Sequence, residues 1–188
     1  MTRHFAIHAF AACALLAGGS ASFAQHGGGG HAHEAAAAPA SAQTSYAGQQ
    51  QRQIKALSAS QTQDLLGGKG MELAKAAELN GYPGPMHTLE LAVQLRLTAQ
   101  QKAASEALML RHKAQARVLG SQVVEAERRL DSAFASRQID KALTAELTQR
   151  IANLQARLRA EHLQTHLEQT ALLDAGQIAT YKKLRGYE

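Results

Sequence analysis

The stretch that decides the fold runs from Thr98 to Gln138, TAQQKAASEALMLRHKAQARVLGSQVVEAERRLDSAFASRQ. Thr98 is a good helix N-cap, and Gln101, three residues on, is placed to bond back to the Thr98 N–H. From 99 to 135 the chain has no proline and one glycine, Gly120. A helix over that span would be roughly 55 Å long. Its face recurs at steps of three or four: Ala104, Leu108, His112, Gln115, Leu119, Val123, Ala126, Leu130, Ala133. Ser136-Arg137-Gln138 breaks the pattern. Asp140 then caps a second long helix with the seam Leu143, Leu147, Ile151, Leu154, Leu158, His162, His166. Two long helices joined by a short turn form an antiparallel hairpin. One hairpin with these seams buries little. Either short helices fold back onto it or two chains pair, and a homodimer is expected.

Working outward, Ser58-x-x-Gln61 is another capping box, and Gly67-Gly68 ends the short helix it starts. A second short helix is expected from about Met71 to Leu79, stopping at Asn80-Gly81. Pro83-Gly84-Pro85 makes a turn, and Pro85 opens a third helix carrying Met86 to about Leu95. Asp174-x-x-Gln177 repeats the capping logic and starts a last short helix that ends at Gly186. Composition agrees with an all-α fold of one hairpin and short flanking helices. Aromatics are 4% of 188 residues and Trp is absent, so a thick core of large side chains is excluded. Three prolines and few β-branched runs argue against strands.

Residues 1–24 read as a secretory signal peptide. Arg3 and His4 lead, an apolar stretch runs from Phe5 to Ala17, and Ser22-Phe23-Ala24 is a small-x-small cleavage site. The apolar run is shorter than the ~20 residues a spanning helix needs. Cleavage removes Cys13, the only cysteine, so the mature chain has no thiolate for metal or catalysis. Export directs it to the periplasm of a Gram-negative cell. The chain is basic, with a formal charge of +5 that becomes +4 once Arg3 is lost. An exported protein rarely meets nucleic acid, so the charge is read as solubility or attraction to anionic envelope surfaces. Residues 25–45 form a His/Gly/Ala-rich linker expected to be disordered. Its His26, His31 and His33 are candidate weak metal ligands. The helical domain is expected over 46–188.

Chemistry is concentrated in the histidines. No hydrolase or nucleotide signature is present. Gly67-Gly68-Lys69-Gly70 lacks the phosphate-loop spacing, and no enzyme is expected. His162 and His166 stand four apart on one helix face, which is metal-ligand spacing. With the turn centred near residue 138, His112 falls opposite about residue 164, beside both. His112, His162 and His166 therefore form the candidate metal site, with Met109 and Glu161 as neighbours. Three imidazoles and an open position suit zinc, copper(II) or nickel. The alternative is that these are polar gaps in a helical seam. The basic run Arg111-His112-Lys113 with Arg117, facing Arg150, Arg157 and Arg159, is a solvated face with i,i+4 acidic partners. Its functional reading is a surface both apolar and charged, able to hold many unfolded chains weakly.

Leu97-Thr98-x-x-Gln101 and Leu173-Asp174-x-x-Gln177, two copies flanking a helical pair behind a signal peptide, resemble the L-T-x-x-Q signature of the Spy/CpxP-like periplasmic proteins. The second copy has Asp in place of Thr. The resemblance spans roughly Gly70 to Tyr187. That family includes chaperones of envelope stress, zinc-binding relatives such as ZraP and heavy-metal sensors such as CnrX. The resemblance implies an antiparallel dimer hooked into a shallow cradle, which binds unfolded clients without ATP. It also implies a structural role for Thr98, Gln101, Asp174 and Gln177. The sensor branch draws ligands from the helix before the signature, where this chain has His87 and Glu90. The match is partial: Leu91 stands where sensors have a second histidine, and His166 where they have methionine.

The expected function is thus a periplasmic, ATP-independent, metal-responsive chaperone-like protein that limits aggregation of misfolded proteins. It requires no cofactor, and zinc, copper or nickel would be the bound metal. A heavy-metal sensor or buffer is the first alternative. With no membrane span after cleavage, a sensor would hand its signal to a membrane signalling protein. A coiled-coil adaptor for an envelope partner is the second alternative.

Overall fold

The computed structural model describes residues 45–187. The signal peptide and most of the 25–45 linker, with His26, His31 and His33, lie outside the described residues. After a short 3₁₀ turn at Gln49–Gln51, six helices follow: α1 (Ala59–Gly67), α2 (Lys75–Glu78), α3 (Pro85–Glu90), α4 (Ala99–Ala135), α5 (Lys141–Ala171) and α6 (Ala175–Arg185). Among the described residues there is no strand. No described helix is long and apolar enough to cross a membrane.

The long helices begin where the sequence places them. The Thr98 hydroxyl accepts the Gln101 N–H while Gln101 Oε1 accepts the Thr98 N–H, at 3.1 and 3.0 Å. Asp140 accepts the Leu143 N–H at 2.8 Å. Ser58 with Gln61, and Asp174 with Gln177, form the same reciprocal box. Each satisfies N–H groups that have no partner inside the helix.

α4 and α5 pack along much of their length. Their cross-helix partners fall in number on α5 as they rise on α4: Gln101 bonds the Leu172 carbonyl, Arg111 pairs with Glu168, and His112 meets Thr165. The central core joins Ala116, Leu119 and Val123 of α4 to Ile151, Leu154 and Leu158 of α5, with Ile54 and Leu65 closing it from the N-terminal side. Each fully buried Leu, Ile or Val side chain contributes about 1.5–3 kcal/mol. The seam of α4 departs from expectation at one step. Gln115 is exposed and Ala116 is fully buried in its place. A step of four from His112 keeps the amide in water and a methyl in the core, which removes the cost of burying an unpaired amide.

A second buried row on α4, Gly120, Val124 and Glu127, extends the buried face beyond the α5 seam. Gly120 is required here by contact. A Cβ at this position would stand 2.1 Å from the Leu65 carbonyl oxygen, so α1 lies directly against the α4 backbone.

The two short helices are shorter than expected. Met71 and Glu72 have φ of 46° and 61°, and regular helix starts only at Lys75. Two successive L-residues in the left-handed region cost roughly 1–2 kcal/mol each. α3 ends at Glu90 and continues as turns to Arg96, which has φ of 50°. Neither position carries a glycine to announce the turn.

At the far end, the two signature glutamines lock to each other. Gln101 Nε2 donates to Gln177 Oε1 at 2.8 Å, and Gln177 Nε2 donates to Gln101 Oε1 at 3.0 Å. The remaining amide hydrogens go to the Leu172 and Leu95 carbonyls. Each Oε1 also accepts its own N-cap N–H. Every donor of the two amides is used, and α4, α6 and the segment before each are held by one cluster.

Candidate functional site

Beyond this lock, α2, α3 and the Gly68–Glu72 turn face the α4–α5 pair across a pocket of about 760 Å³. His112, His162, His166 and His87 all line it. The expected candidates are therefore brought to one place, though unequally. His112 and His162 are 8% and 4% exposed, and their rings meet edge-to-face with centroids 4.6 Å apart. His166 stands on the same wall, one turn along α5 from His162.

The hydrogen bonds fix which ring nitrogens are free. Thr165 Oγ donates its only hydrogen to the Glu161 carbonyl at 2.9 Å. It therefore accepts at 2.9 Å from His112 Nδ1, which also stands 3.1 Å from Glu161 Oε1. His112 thus carries its proton on Nδ1. His166 Nδ1 donates to the Tyr82 carbonyl at 2.7 Å, because a carbonyl only accepts. His87 Nδ1 pairs with Glu90 at 2.8 Å. In all three, Nδ1 is held by an acceptor and Nε2 is left for other use. That is the arrangement by which a carboxylate or carbonyl orients a ligating imidazole. His162 Nε2 is buried and has no hydrogen-bond partner at all.

Burial, reinforced by the neighbouring His112 and His166, depresses the His162 pKa from 6.5 to about 4. It is therefore neutral at pH 7, with one of its two ring nitrogens carrying a lone pair. Gly84 explains how His166 fits. A Cβ at Gly84 would come within 2.7 Å of its Nε2 and Cε1, so the absence of a side chain in the Pro83-Gly84-Pro85 turn leaves room for the Nε2–Cε1 edge of the ring.

Several contributors carry no sequence signal. Glu78, on the four-residue α2, presents a carboxylate 3.6 Å from His166 Nδ1. Its Oε1 accepts from the hydroxyls of Tyr181 and Tyr187 at 2.5 and 3.0 Å, and Arg185 Nε lies 3.5 Å away. Its Oε2 is buried without a hydrogen-bond partner. Burial, and then Glu78, push the Tyr181 phenol well above its usual range, so it stays a donor. Met71 and Met86 line the pocket as well, beside the expected neighbour Met109. Glu90 is occupied by His87 at an exposed position. Among the described residues, no three histidine or acidic side chains are placed to hold one ion together. The histidines converge on a common space without closing a ligand cage.

No family model, curated protein or solved structure matches this chain.

Proposed function

We propose that this chain is an exported, metal-responsive binding protein, an antiparallel helical hairpin whose pocket takes a transition-metal ion on His112, His162 and His166. The observation that carries the reading is the buried His162 Nε2, neutral and without a partner, on a wall it shares with two imidazoles whose Nδ1 atoms are already held. Zinc, copper and nickel all accept imidazole nitrogen. The three histidines lie on α4 and α5, so side-chain rotation of the imidazoles would close them on an ion.

The test is a zinc titration of the chain with His26, His31 and His33 changed to alanine, so that the tail does not compete. One zinc per chain is expected, lost on further changing His162 and His166 to alanine. Unchanged stoichiometry in that variant overturns the reading.

A second reading, a chaperone-like cradle formed by a homodimer, draws on a separate observation. Leu110 and Val118 on α4 are 75% and 53% exposed, with Ala103, Ala107 and Ala114 on the same stripe. An apolar stripe between charged side chains suits weak binding of unfolded chains. Suppression of client aggregation at near-equimolar ratio, lost on changing Leu110 and Val118 to glutamate, would support it. No suppression by the parent chain, with or without metal, would remove it.

A further inference from the structure

The chain has four methionines, and apart from Met1 every one lines this single pocket. They arrive from three separate segments: Met71 from the turn before α2, Met86 from α3 and Met109 from α4. Methionine often serves as a core gap-filler. That role does not suit Met71 and Met86, which are 37% and 49% exposed. The turn carrying Met71 also holds two successive non-glycine residues at positive φ. The strained backbone thus presents a thioether at the pocket.

The charges around the pocket favour the same chemistry. Its acidic residues are already compensated: Glu72 by Lys75 and Glu78 by Arg185, each at 3.5 Å. Lys69 pairs with Asp64 at 2.7 Å. A dication entering here finds little uncompensated negative charge, and among the described residues no three histidine or acidic side chains hold one point without rearrangement. Thioethers, beside an imidazole nitrogen that has no hydrogen-bond partner, select a soft monovalent ion.

We infer that the pocket's preferred occupant is a thiophilic monovalent ion, copper(I) or its redox-inert equivalent silver(I), held by the thioethers of Met71, Met86 and Met109 with the free nitrogen of His162. This rests on the metal-binding reading above and narrows it to an ion class. No electron transfer is involved, because the ion enters already in the monovalent state.

The experiment uses the full chain with the three tail histidines changed to alanine. Silver(I) is titrated by calorimetry, and copper(I) is titrated anaerobically under ascorbate against a competing chelator. Zinc(II) is titrated in parallel. The variants are Met71→Leu/Met86→Leu/Met109→Leu, which conserves volume and apolarity, and His162→Ala/His166→Ala. One silver or copper(I) per chain is expected, weakened at least about tenfold by the leucine variant while zinc affinity is unchanged. Silver bound equally well by the leucine variant overturns the inference and leaves the methionines as apolar lining. The broader metal-binding reading fails separately, when the histidine variant binds every metal as the parent does. A parent that binds no metal overturns both. A second readout needs no variant. Bound silver is expected to slow peroxide oxidation of Met71 and Met86, followed by peptide mass spectrometry, and no protection counts against the thioether ligands.

Discussion

Two polar clusters among the described residues are built on opposite terms. At the Gln101–Gln177 lock, each amide hydrogen and each amide oxygen has a partner. In the histidine pocket, His162 Nε2 and Glu78 Oε2 are buried with none. Saturated clusters fix structure, because any loosening exposes several bonds at once. An unsaturated buried cluster destabilises the fold, since each orphan costs roughly 1–3 kcal/mol. Such a cluster persists where something other than stability retains it, and a ligand is one such reason.

The largest expected effect comes from breaking the saturated side. Gln177→Leu would strip partners from the Gln101 amide, the Leu95 carbonyl and the Asp174 N–H together. A loss of about 2–3 kcal/mol is expected in urea unfolding. Because the glutamines act as a pair, Gln101→Leu with Gln177→Leu should cost much less than the sum of the single changes. Additive losses would show that the reciprocal bonds do not couple α4 to α6.

Thr98→Ala removes one cap bond and leaves the glutamine pair in place. A loss of about 1 kcal/mol is expected. A loss as large as that of Gln177→Leu would mean that the cap and the lock are one unit.

The difference between the clusters also follows what the sequence makes legible. Caps are local chemistry, decided within three residues. Ser58, Thr98, Asp140 and Asp174 all announce their helices, and 99–135 is read to its bounds. Spacing and register likewise bring His112, His162 and His166 to one wall. What escapes is non-local or strained. The pairing of Gln101 with Gln177 spans 76 residues. Glu78 and the methionines matter only because α2 and α3 cover the long pair. Their path depends on positive φ at Met71, Glu72 and Arg96, where no glycine marks the turn. Gln115 and Ala116 compete for one seam position, and the choice is made by the neighbouring helix.

pH separates the clusters without mutation. The folded-state pKa of His162 lies at about 4, below its ordinary 6.5, so the unfolded chain takes up that proton first. Its contribution to stability is fully present above pH 6.5 and is lost as pH falls toward 4. The amide lock does not titrate. Melting temperatures of the parent and His162→Leu should therefore diverge in favour of the variant as pH drops through this window. Parallel curves would show that His162 is not held neutral.

The smallest effect on stability is the most informative. His162→Leu replaces a buried ring, orphaned at Nε2, by an apolar side chain of comparable volume. Removing the unpartnered nitrogen is stabilising, and losing the ring contact with His112 is destabilising. The two act in opposite directions, so near pH 7 the change in melting temperature should be close to zero. Metal affinity should nevertheless collapse, since the variant has lost the free lone pair. A residue whose loss leaves the fold intact and abolishes binding is held for the ligand. A large drop in melting temperature would instead make His162 a packing residue, and the pocket a second structural cluster like the glutamine lock.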